Sequence, residues 1–114
     1  MQFKNNIHEE TAQEQISYIA ENLSKGEILT QLAEESAELI QAALKHRRTF
    51  TEGASPTPKT EDETLGNLIE ELADVLICTE AINRQGIKLF GKPFTDIYEY
   101  KLRRWCDRIK EART

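Results

Sequence analysis

The chain has 114 residues, 39% hydrophobic and 31% charged, enough for one domain over residues 1–114 with a modest core that self-association would enlarge. A formal net charge of −5 argues against a general nucleic-acid binder, because a polyanion would be repelled. No apolar run approaches the ~20 residues needed to cross a bilayer, and the opening MQFKNNIHEE has no apolar signal region. A cytoplasmic protein with no membrane or nucleic-acid-polymer partner is therefore expected.

In chain order, Ala12, Ile16, Ile19, Ala20 and Leu23 recur at helical spacing and predict a first helix from about His8 to Leu23. Ser24–Glu27 reads as a capping box that starts a second helix, running to about His46. Arg47–Glu63 contains Gly53, Pro56 and Pro58 and lacks apolar periodicity, so a long loop is expected there. Thr60 or Thr64 is placed to cap a third helix, from about Thr64 to Gln85, with Gly86 as its stop. The connector KLFGKPF follows, and Asp96–Glu99 offers a capping box for a fourth helix ending near Ala112. No strand alternation of any length is present, and the expected fold is all-α, with four helices. Cys78 and Cys106 lie far apart on apolar faces and read as core thiols, and His8 and His46 read as surface residues.

The second helix holds three glutamates within LAEESAELIQAAL (Leu32–Leu44). At about 100° per residue, Ile28, Leu29, Leu32, Leu39, Ile40 and Ala43 form one stripe. Glu35 falls on the stripe's edge with Glu38 beside it, and Glu34 lies furthest toward solvent. The pattern recurs in the third helix: LIEELADVL (Leu68–Leu76) stands against LAEESAELI (Leu32–Ile40), with Asp74 in the place of Glu38. Glu71 sits among Leu68, Val75, Cys78 and Ile82, deeper in apolar surroundings. Neither Glu35 nor Glu71 has a cation at i+4, where Leu39 and Val75 stand, so helix ion pairs do not account for them. If the two helices pack antiparallel, Glu35, Glu38, Glu71 and Asp74 converge. Bare, they would repel one another and their pKa values would rise. A divalent cation removes that cost, and all-oxygen donors suit Mg²⁺ or Mn²⁺ over Zn²⁺.

The fourth helix has an apolar stripe of Ile97, Tyr98, Leu102, Trp105, Ile109 and Ala112, flanked by Lys101, Arg104 and Arg108. Such a flank is a solvated face with snorkelling stems or an edge that binds phosphate. An acidic metal site together with a basic edge points to a ligand rich in phosphates.

The two-part motif E-E-x-x-E (Glu34, Glu35, Glu38) and E-x-x-D (Glu71, Asp74) resembles the signature of the MazG-like all-α nucleoside triphosphate pyrophosphohydrolases, over about Leu29–Arg108. That superfamily includes the dimeric dUTPases and the phosphoribosyl-ATP pyrophosphohydrolases. The resemblance implies a helical bundle that forms homodimers or homotetramers. It makes Glu35, Glu38, Glu71 and Asp74 Mg²⁺ ligands. It also implies cleavage of a nucleoside triphosphate between the α- and β-phosphates, giving a nucleoside monophosphate and pyrophosphate. In that reaction Glu34 or Glu38 would take the proton of the attacking water, Lys101, Arg104 and Arg108 would hold phosphate oxygens, and Asn83 or Tyr98 would contact the base. The long loop departs from the tight turn of the shortest members. The rivals are a non-enzymatic helical regulatory dimer, a phosphoribosyl-ATP substrate within the same enzyme class, and a di-iron bundle. The last would require Glu-x-x-His pairs, which the acidic helices lack.

Overall fold

A computed structural model describes residues 10–50 and 59–114. It contains four helices and no strand among those residues: α1 (Ala12–Asn22), α2 (Lys25–Arg47), α3 (Glu61–Arg84) and α4 (Lys92–Ala112). The all-α, four-helix expectation holds. Three of the helices start in the same way. Thr11, Ser24 and Thr60 each accept from the backbone N–H three residues on, while Glu14, Glu27 and Glu63 reach back to the cap's own N–H. Two of these boxes shift the predicted boundaries. Thr11 holds the start of α1 at Ala12, so the described part of the predicted first helix is shorter than expected, and His8 lies outside the described residues. Thr60 starts α3 at Glu61, which shortens the expected 47–63 loop from its far end. Arg47 is still helical at the near end, and 51–58 lie outside the described residues.

The start of α4 corrects a further expectation. It begins at Lys92, with Gly91 as cap and Pro93 in its first turn. Proline's fixed φ and missing N–H suit that position. Asp96 is therefore inside the helix, where it pairs with Lys92 at 2.7 Å instead of capping. Gly86 ends α3 as expected, at a φ of +101° that side chains other than glycine's rarely adopt.

The folded body is α2 against α3, with α1 laid on α3. On α2 the residues withdrawn from solvent include Ile28, Leu32, Glu35, Leu39, Ala42 and His46, with Ser36 beside them. On α3 they include Thr64, Leu68, Glu71, Val75, Cys78 and Ile82, each 36 residues after its counterpart, with Asn67, Thr79, Ala81 and Asn83 alongside. The 4-3-4-3-4 spacing is a heptad seam, and both helices present the same one. His46 at the end of α2 meets Thr64 at the start of α3, Nδ1 to Oγ1 at 2.9 Å, so the helices run antiparallel. The Thr64 hydroxyl donates to main-chain carbonyls of its own helix, which leaves His46 Nδ1–H as the donor to its oxygen. His46 is thus a half-buried partner of Thr64 and packs edge-on to Phe50, contrary to the surface role expected of it. At the other end Ile28, Cys78, Ala81 and Ile82 form the core, with Ile19, Leu32, Ile87 and Leu89 against it. Gln85 Nε2 donates to the carbonyls of Ala20 and Leu23 at 3.0 and 2.8 Å, fastening the α1–α2 turn to the end of α3.

The fourth helix does not share this packing, and every residue of it is exposed. Cys106, expected to be a core thiol, is exposed there, whereas Cys78 is buried; both are free. The molecule extends 57 × 40 × 26 Å.

Candidate metal centre

The shared seam places one glutamate near the middle of each helix, facing the other. Glu35 lies within the stripe and not at its edge as the wheel predicts, because the buried face centres on Ile28 and His46 and takes in none of Leu29, Ile40 and Ala43. Each of Glu35, Glu71 and Asp74 offers a carboxylate oxygen within 4.8 Å of the other two. Gln31, one turn before Glu35, donates from Nε2 to Glu35 Oε2 at 2.7 Å. That contact orients the carboxylate and leaves its other oxygen for the cluster. Glu35 Oε1 and Glu71 Oε1 are both buried, with no hydrogen-bond partner among the described residues. A buried carboxylate oxygen without a partner is costly, and two of them facing one cluster fit a cation. The donors there are oxygens. Burial, then the charges of Glu35 and Asp74, pushes the Cys78 thiol up, so it stands beside the cluster as a neutral thiol.

Glu38 lies next to this trio and is exposed. Its charge repels that of Glu71. Glu34 points to solvent. Burial raises the Glu71 carboxyl above the ordinary carboxylate range. The charges of Glu38, Asp74 and Glu35 then add to the rise. Between the ordinary carboxyl pKa and this raised one, the unfolded chain has released a proton that the folded chain keeps. The Glu71 contribution to metal-free stability therefore falls as pH rises through that window. A divalent cation held by these oxygens at about 100 times its Kd would stabilise by about 2.7 kcal/mol, roughly 10 °C in Tm for a chain of this size. That shift is expected to be larger at neutral than at mildly acidic pH, because proton and metal compete for the same oxygens. Thermal melts with and without Mg²⁺ at both pH values check this, and an equal or absent shift counts against the site.

A cavity of about 260 Å³ opens beside the carboxylates, lined by Glu38, Gln41, Ala42, Lys45, Asn67 and Glu71. Sequence reasoning missed Gln31, Gln41, Lys45 and Asn67. The available signal was helical spacing, since each lies three, four or seven residues from a seam glutamate or Glu38.

The remaining expected site residues are not gathered here. Lys101, Arg104 and Arg108 are exposed on α4, where Arg104 lies over the Tyr100 ring at 5.8 Å. Tyr98, also on α4, closes an aromatic ladder, 5.7 Å from Phe94, which is itself 5.2 Å from Phe90. Asn83 Oδ1 accepts from Leu89 N and Phe90 N at 2.9 and 3.1 Å, which folds the connector between α3 and α4. A base contact through Asn83 would have to use its amide NH₂.

A family model described as phosphoribosyl-ATP pyrophosphohydrolase matches residues 1–97, and that family sits within the MazG-like superfamily. The match takes in both acidic helices and ends inside α4, before Lys101, Arg104, Trp105 and Arg108. No curated protein and no solved structure matches the chain.

Proposed function

Because the chain belongs to the phosphoribosyl-ATP pyrophosphohydrolase family, whose members are hydrolases acting on phosphoanhydride bonds, we propose that it cleaves the α–β anhydride of a (deoxy)nucleoside triphosphate at the Glu35–Glu71–Asp74 cluster. The products are a nucleoside monophosphate and pyrophosphate. The observation that carries this reading is the pair of partnerless buried oxygens, Glu35 Oε1 and Glu71 Oε1, at one point of the α2–α3 seam. Glu35, Glu71 and Asp74, with Glu38 beside them, would hold Mg²⁺, with Mn²⁺ as a substitute. When bound, the metal supplies charge neutralisation on the phosphate oxygens.

The chain's own groups do the rest. Gln31 keeps Glu35 turned into the site. Glu38 is the better-placed proton acceptor for the attacking water, since it lines the cavity and Glu34 does not. The apolar seam on either side of the carboxylates limits water around the reacting phosphate.

Assembly belongs to the same reading. Ile40, Leu44, Ile69, Leu72 and Leu76 are 47–61% exposed on the outer faces of α2 and α3, and Trp105 on α4 is 68% exposed. A homodimer, or a homotetramer built from it, would cover these faces. It would also bring the Lys101, Arg104 and Arg108 edge of one copy to the phosphates at the acidic helices of another, with Tyr98 and the Asn83 amide left to meet the base. No helix among the described residues is long and apolar enough to cross a membrane, and we place the enzyme in the cytoplasm.

The family match favours a second reading within the same class, in which phosphoribosyl-ATP is the substrate. The test is Mg²⁺-dependent pyrophosphate release from a panel of nucleoside triphosphates and phosphoribosyl-ATP. Release from the triphosphates supports the first reading, and release from phosphoribosyl-ATP alone selects the second. No release from any of them by the folded protein rejects both.

A further inference from the structure

We infer that Lys45 is a substrate-binding residue that holds the leaving pyrophosphate in the cavity between α2 and α3, with Asn67 and Gln41 as its hydrogen-bonding companions. This rests on the pyrophosphohydrolase reading above and adds to it the direction in which the phosphate chain lies. The cavity begins at the carboxylates, since Glu38 and Glu71 form part of its wall, and Lys45 is the cation in that wall. Glu38, Gln41 and Lys45 follow one another on a single face of α2, so Lys45 lies about 10 Å along the axis from Glu38. Asn67 precedes Glu71 by one turn on α3 and, the helices being antiparallel, stands at the same level as Lys45. The cavity therefore leads from the cluster toward the end of α2 and the start of α3.

Size and chemistry select the occupant. At about 260 Å³ the cavity is below the ~300–1,000 Å³ of pockets that enclose a whole drug-sized ligand. It has room for a phosphate tail while the nucleoside lies outside. Ala42, buried and small, is the apolar residue of its lining. A lysine ammonium and two side-chain amides are donors for phosphate oxygens. Among the described residues Lys45 forms no ion pair, although two carboxylates share its cavity. Its position in the last turn of α2 would also suit the helix dipole, but His46 and Arg47 occupy that turn too. Only Lys45 of the three faces the cavity.

Binding of inorganic pyrophosphate and of AMP, each with Mg²⁺, to the full chain measured by calorimetry tests the inference independently of turnover. Lys45→Ala is expected to weaken pyrophosphate binding by about 10- to 100-fold, the loss of a charged hydrogen bond. AMP binding should change little, and Lys45→Arg should restore most of the pyrophosphate affinity. Lys45 is exposed and alanine is the best helix former, so the variant should keep its helicity and melting temperature. Asn67→Ala should weaken pyrophosphate in the same sense and by less. Unchanged pyrophosphate binding in Lys45→Ala overturns the inference, as does a larger loss for AMP than for pyrophosphate. Wild-type protein that binds Mg²⁺ but neither ligand overturns the pyrophosphohydrolase site itself, and the inference with it.

Discussion

Replacing Glu71 with glutamine is expected to abolish pyrophosphate release, lowering kcat/KM by more than the ~10–100-fold that loss of a metal's outer-shell partner costs. The helices should persist, because the change is isosteric and removes one of four neighbouring carboxylates. The same substitution should leave the metal-free protein at least as stable as wild type near neutral pH. It removes a carboxylate whose ionisation is opposed by burial and by Glu38, Asp74 and Glu35. Lost activity combined with undiminished metal-free stability separates a ligand from a structural residue, and circular dichroism melts with a pyrophosphate-release assay read both. Activity within tenfold of wild type would remove Glu71 from the site. Glu34→Gln, at an exposed position outside the cavity, should have the smaller effect.

The second large effect falls on assembly. Trp105→Asp places a charge in the middle of the apolar stripe of α4, where tryptophan is 68% exposed in the single chain. A buried tryptophan anchor is worth 2 kcal/mol or more at an interface, so the dimer Kd should rise by about 30-fold or more. Sedimentation equilibrium should show wild type above the 13.1 kDa of one chain and the variant shifted toward it. Wild type that remains at the single-chain mass would reject the assembly. If α4 serves a neighbour's phosphates, mixing Glu71→Gln and Lys101→Ala chains should recover activity that neither has alone. Two inactive chains that stay inactive together would confine the basic edge to its own chain or to solvent.

The reason α4 needs such tests is a difference between what a wheel reports and what a chain does with it. The Ile97–Ala112 stripe states that this helix has a face to bury, but not against what. Among the described residues of one chain nothing buries it, and every position of α4 stays exposed. The same ambiguity misplaced Glu35. The apolar residues of α2 cover two faces, one toward α3 and one left outward at Leu29, Ile40 and Leu44, and a single stripe drawn through both puts Glu35 at an edge when it is central to the inner face. Asp96 failed as a cap because Pro93 is acceptable in a first turn, which allows the helix to begin earlier.

What the amino-acid sequence determined by itself is local. Hydrophobic spacing set the four helices, three S/T-x-x-E boxes started α1–α3, and Gly86 ended α3, because each depends on neighbours within a turn. The doubled motif, Glu35 and Glu38 echoed by Glu71 and Asp74, also identified the acidic pair of helices. Only the tertiary structure decided which carboxylates meet. Antiparallel packing that sets His46 against Thr64 and Ile28 against Ile82 brings Glu35, Glu71 and Asp74 together, sets Glu38 at their side, turns Glu34 to water, and opens beside them the cavity that Lys45 and Asn67 line. Convergence across two helices is a property of their register, and no pattern within either helix contains it.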